Sequence, residues 1–144
     1  MKLSQKQIKE IAETLITGDT TYINKETLEV REVIDSDNQF GFEEDPYRRE
    51  MIDKIEKEWS EYAIIPSMCS VDAFEVMIAF LDVVKDIDLQ YQLNKILQRK
   101  SPFSNFKWEV EHSEYRQKWF DFRKEKYMDY TMNILTLEGI DFEK

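Results

Sequence analysis

The 144-residue chain is expected to fold as one α+β domain spanning residues 1–144, mostly helical, with a small three-stranded antiparallel sheet packed against C-terminal helices. Three observations predict this. Over most of the chain apolar residues recur at spacings of three, four and seven, the period of an amphipathic helix. Three short runs rich in β-branched and aromatic residues, Tyr22–Asn24, Leu28–Ile34 and Tyr62–Ile65, break that period as strands do. Nine of the nineteen aromatic residues fall within residues 101–130, a concentration of apolar area that needs a partner surface.

The elements follow in order. Ser4 is placed to cap a first helix carrying Ile8, Ile11, Ala12 and Leu15 on one face, and Gly18 suits the position just past its end. The first two strands make a hairpin through Asn24-Lys25-Glu26-Thr27. Residues 35–45 are polar and acidic and read as a loop. A calcium loop starting at Asp35 is rejected, because its sixth position is Phe40 instead of Gly and its twelfth is Pro46 instead of Glu. Asp45-Pro46 opens a helix with Met51, Ile52, Ile55 and Trp59 on its apolar face. Pro66 then ends the third strand.

Ser70 is placed to cap a helix with Phe74, Met77, Ile78, Phe80, Leu81 and Val84. These cover more than half its circumference and mark it as the central, most buried helix. Asp86 or Asp88 starts the next helix, which turns Leu89, Leu93, Ile96 and Leu97 inward. Two helices complete the chain: one capped by Ser101 with Pro102 at its first position, the other capped by Ser113 and ending near Gly139. Phe103, Phe106 and Val110 share a face of the former; Tyr115, Trp119, Phe122 and Lys126 form a stripe on the latter. Trp119 is expected in the core. Trp108, two residues after Phe106, is expected to point outward.

Composition narrows the function. No run approaches the roughly eighteen apolar residues of a membrane span, and the first ten residues hold no apolar signal segment. A cytoplasmic protein is expected, in agreement with a single cysteine, Cys69. A net charge of −10 argues against nucleic acid as a partner, since binding there neutralises phosphates. The charge is uneven: residues 29–61 hold twelve acids against five bases, whereas residues 99–126 hold eight bases against five acids.

At Tyr22-Ile23-Asn24-Lys25-Glu26-Thr27, at Ser70 and Phe74, at Pro102-Phe103 with Phe106-Lys107, and at Arg116 with Trp119-Phe120-Asp121-Phe122, the chain resembles a bacterial family of uncharacterised proteins of the UPF series. The P-F-x-x-F-K and R-x-x-W-F-x-F segments are the most specific parts. The resemblance implies a small bacterial protein and assigns no catalytic residue. It departs at the hairpin turn, where family members tend to have Thr-Gly-Glu and this chain has Thr27-Leu28-Glu29.

No constellation of residues indicates catalysis. His112, the only histidine, lies between Glu111 and Ser113 and is a candidate base toward Ser113. Neighbours in sequence at a helix start rarely point at a common atom, however, and no third orienting group is indicated. Cys69 lies at a helix start without a nearby base, and one His and one Cys do not build the usual metal sets. Acid pairs such as Glu10/Glu13, Glu43/Glu44 and Glu109/Glu111 follow from the abundance of carboxylates, and three isolated glycines make no phosphate loop. No catalytic residue, metal or cofactor is therefore expected. The candidate binding surface comprises Lys107, Trp108, Arg116 and Phe120, with Arg116 able to stack on Phe120 four residues on. The expected function is a non-enzymatic protein-interaction or regulatory module. The alternatives are a small-ligand binder or enzyme with a carboxylate and aromatic pocket, and a single-stranded nucleic-acid binder stacking bases on the exposed aromatics.

Overall fold

A computed structural model describes residues 2–33 and 61–144. The expected acidic loop at 35–45, the rejected calcium loop, the helix opening at Asp45-Pro46 and the last residue of the second strand, Ile34, lie outside the described residues. Within them are five helices and three strands: α1 (Gln5–Ile16), β1 (Thr20–Asn24), β2 (Val30–Val33), β3 (Tyr62–Ile65), α2 (Ser70–Phe80), α3 (Ile87–Leu97), α4 (Pro102–Glu111) and α5 (Arg116–Leu137). The class is α+β, mostly helical, as expected. The chain forms two compact units, one of residues 1–68 with 127–144 and the other of residues 69–126. The long helix α5 contributes its first half to the second unit and its second half to the first.

In the first unit the three strands run antiparallel in the order β2-β1-β3. Cross-strand partners share a face: Thr21 lies opposite Ile65 and Ile23 opposite Ala63, and all four are buried. Against that face Ile8, Ile11, Ala12 and Leu15 of α1 and Tyr127 and Leu135 of α5 complete one core with Leu3 and Ile140. The sheet thus packs on the last C-terminal helix, and α1 joins the same core. The opposite face carries half-buried Tyr22 and exposed Ile64.

Local chemistry accounts for the helix limits. Ser4 Oγ accepts the Gln7 amide at 3.1 Å and Gln7 Oε1 accepts the Ser4 amide at 2.9 Å, a reciprocal cap on α1. At its other end Gly18, at φ +96°, donates to the Leu15 carbonyl at 3.0 Å and Asp19 to that of Thr14 at 3.4 Å, which closes the helix in a Schellman turn. The same device ends α5. Gly139, at φ +73°, and Ile140 donate to the carbonyls of Thr136 and Leu135 at 3.2 and 2.9 Å, and Ile140 and Leu135 are buried in the same core. Leu3 bridges Phe142, with the Leu3 amide on the Asp141 carbonyl at 3.1 Å and the Glu143 amide on that of Leu3 at 2.8 Å.

The hairpin turn shows how this chain manages without glycine. Asn24 Oδ1 accepts the amides of Glu26 and Thr27 at 2.8 and 3.0 Å, and Leu28 takes φ +60°. For an L-residue this left-handed conformation costs about 1–2 kcal/mol. Leu28 also packs against the core of the first unit, which offsets part of that cost. Leu28→Ala is therefore expected to lose packing while keeping the strain, lowering stability by about 1–2 kcal/mol. Leu28→Gly sheds both and should melt within about 1 kcal/mol of wild type and above the alanine variant, as thermal melts would show.

The second unit is held by aromatic rings. Phe80, Phe106 and Trp119 pack edge to face with centroids 5.1–6.4 Å apart, and Phe122 lies 5.3 Å from Phe80. Val76, Met77, Val84, Leu93, Leu97 and Val110 are buried as well. The phenolic oxygen of Tyr115 accepts the Lys85 and Asp86 amides at 3.0 and 3.3 Å, fixing the turn between α2 and α3. Asp86 is the cap of α3, accepting the amides of Asp88 and Leu89 at 3.0 and 3.2 Å.

Several expectations need correction here. Ser70 is the first residue of α2 and its cap position is Cys69, which makes no side-chain hydrogen bond. Ser101 holds the cap position of α4 with Pro102 at the helix start, as expected, but it lies in the left-handed region at φ 53°, ψ 52° and makes no side-chain cap bond, because a capping hydroxyl needs extended backbone to face the first-turn amides. Ser113 lies three residues before Arg116, the first residue of α5. Its hydroxyl donates to the Val110 carbonyl at 2.7 Å and accepts the Tyr115 amide at 3.1 Å, which links α4 to the turn that follows. Nor is α2 buried around most of its girth. Val76, Met77 and Phe80 face the core, while Val71 is 68% and Ile78 45% exposed. Since the Ser101 side chain makes no cap bond and stays exposed, Ser101→Gly is expected to stabilise the protein by about 0.5–1 kcal/mol, read as a raised melting temperature.

Candidate protein-interaction surface

The residues singled out for binding all lie in the second unit. Trp108 is 61% exposed, for the reason the spacing implies: Phe106 and Val110 occupy the buried side of α4, so position 108 points away from it. Its ring stacks on that of His112 at 4.2 Å and 22°, and His112 Nδ1 contacts the Trp108 carbonyl at 2.6 Å. Lys107 beside it is exposed. On α5 the expected stack forms, with the Arg116 guanidinium 5.2 Å from the Phe120 ring centre. Arg123 lies 5.4 Å from the same ring centre and 5.6 Å from that of Trp119, so two guanidinium groups contact Phe120. Lys118 over Tyr115 and Lys126 over Phe122 extend the pattern, at 5.2 and 5.3 Å. Among the described residues no ring or cation contact joins Trp108 to the Arg116–Phe120 pair. They are two neighbouring features of one helical hairpin.

His112 and Ser113 do not form a catalytic couple: the histidine nitrogen engages the Trp108 carbonyl and the serine hydroxyl donates to that of Val110. Cys69 is free and exposed. Among the described residues no group of three or more His, Cys, Asp or Glu side chains is arranged to hold a metal ion, and no helix is long and apolar enough to cross a membrane.

Sequence reasoning missed a second exposed apolar region. Among the described residues, eight large hydrophobic residues are exposed, and six of them belong to residues 69–126: Val71, Ile78, Ile87, Tyr91, Phe103 and Trp108. Leu81, Asp82, Ile87, Gln90, Tyr91 and Asn94 line an open hollow of about 400 Å³ between α3 and the turn after α2. Gln90 forms part of its wall, with Nε2 donating to the Leu81 carbonyl at 2.7 Å. The available signal was an excess: α2 carries more apolar positions than one buried face accommodates.

Residues 42–143 match the model described as an uncharacterised protein family, UPF0158. The chain belongs to this family. The matched span of UPF0158 takes in β3, all of the second unit and the whole of α5, while α1 and the β1–β2 hairpin precede it. Both the Lys107–Trp108 and the Arg116–Phe120 features therefore fall within the family match. No curated protein and no solved structure matches the chain.

Proposed function

We propose that this UPF0158 member is a non-enzymatic, cytoplasmic protein-interaction or regulatory module of bacterial origin. Its contact surface comprises Lys107 and Trp108 of α4 and Arg116 and Phe120 of α5, two features within the stretch of residues 99–126 that has a local excess of bases. The observation that carries this is Trp108. A tryptophan with 61% of its surface exposed, held flat against His112, is a preorganised anchor of the type that dominates interface energetics. The basic neighbours favour an acidic segment of the partner.

The experiment is quantitative affinity capture with the purified full chain, comparing wild type, Trp108→Ala and Arg116→Glu. A specific partner should be retained by wild type and lose at least about 2 kcal/mol of binding with Trp108→Ala, the loss expected of a hot spot. The melting temperature should stay within about 1 °C of wild type, because the removed ring contributes little to the core. Retention unaffected by both substitutions refutes the assignment of this surface.

A further inference from the structure

A second surface, distinct from the Trp108 hairpin face, is built from α2, the turn after it and α3. Along α2 the exposed positions Val71, Glu75 and Ile78 follow one another at spacings of four and three, and Asp82 continues the row four residues on. Asp82 also lines the hollow that Ile87 and Tyr91 border, so one exposed carboxylate stands between two exposed apolar pairs. On the flank of the row Phe74 packs edge to face with the 43% exposed Phe103 at 6.4 Å. The rim is predominantly acidic. Asp72, Glu75, Asp82, Asp86 and Asp88 are all exposed, against two bases, Lys85, whose Nζ donates to the Asp82 carbonyl at 3.3 Å, and Lys95, whose Nζ lies 5.0 Å from the centre of the Tyr91 ring.

We infer that this row and hollow dock a basic amphipathic helix of a partner protein. Its apolar side chains would lie on Val71, Ile78, Ile87 and Tyr91, and a lysine or arginine would face Asp82. Two exposed apolar pairs with Asp82 between them are what the apolar face and a cation of one amphipathic helix can cover together, and the excess of acids over bases around them selects a cationic helix over a neutral or acidic one. A second copy of this chain is the poorer occupant. In the first half of α5 Trp119 is turned into the core and the cations lie over the helix's own rings, so that helix offers no apolar face beside its cations. Trp108 and Lys107 of α4 are the copy's exposed apolar and basic pair, and the Trp108→Ala arm of the test reports on them.

The test is fluorescence anisotropy with the full chain and three labelled synthetic peptides: a leucine–lysine amphipathic helix, the same composition in scrambled order, and a leucine–glutamate helix. The leucine–lysine helix should bind saturably and more weakly at high salt, the other two not. Ile78→Ser and Asp82→Lys should each weaken binding about tenfold or more without shifting the melting temperature, both being exposed, and Trp108→Ala should leave it unchanged. That last result separates this surface from the hairpin face, so either stands if the other fails. Equal binding of the scrambled peptide, indifference to both substitutions, no binding at all, or a sedimenting dimer that Ile78→Ser dissolves would overturn the inference.

Discussion

Trp119→Ala is expected to destabilise the protein by about 3–5 kcal/mol, the range for emptying a buried aromatic site. Trp119 is 4% exposed, with Phe80 and Phe106 at 5.2 and 5.1 Å. These three rings form a closed set of contacts, so removing one leaves two neighbours facing a cavity that bulky aromatics do not fill by small shifts. For a chain of this size the loss corresponds to a fall in melting temperature of about 10 °C or more. The indole nitrogen is buried without a hydrogen-bond partner among the described residues. Trp119→Phe, which keeps most of the ring contact and removes that donor, should therefore cost well under half as much. A Trp119→Ala protein as stable as wild type would place the ring outside the core.

Leu135→Ala is the second large effect, expected at about 2–5 kcal/mol. Leu135 is fully buried in the core that α1, the sheet and α5 share. It also acts at the helix terminus, where its carbonyl accepts the Ile140 amide at 2.9 Å, and Ile140 is buried in the same core. Truncation opens a cavity and loosens the Schellman turn together. Because α5 runs unbroken from Arg116 to Leu137, we take residues 1–144 to act as one domain. On that basis Trp119→Ala and Leu135→Ala should each lower a single common transition in a calorimetric scan. Two separate transitions, each moved by only one of the substitutions, would show that the units melt independently.

What could be read from the residues alone follows from how local the determining physics is. The Ser4 cap, the Gly18 and Gly139 stops, Asp86 as one of the two starts offered for α3, and the hairpin around Asn24 were legible because each depends on contacts within five residues. The three strands emerged from their β-branched runs, and Trp108 was placed outward by its two-residue offset from Phe106. Ser70 falls inside α2, and Ser101, though at the cap position of α4, makes no side-chain cap bond, for a reason invisible at that range. Having the right side chain does not set the backbone dihedrals that aim it, and Ser101 is held left-handed between the end of α3 and Pro102. The burial of α2 was overread because periodicity counts apolar positions without showing how many neighbouring helices exist to cover them. Hence Val71 and Ile78, assigned to no surface or to the core, emerged as exposed.

The most direct test of the interaction assignment is hydrogen–deuterium exchange on the full chain, alone and bound to the partner that Trp108-dependent capture retains. Amides of residues 103–123, on α4 and the start of α5, are predicted to slow on binding while those of the sheet and α1 keep their free-state rates. Protection confined to the sheet, with exchange in the α4–α5 hairpin unchanged, would contradict the account.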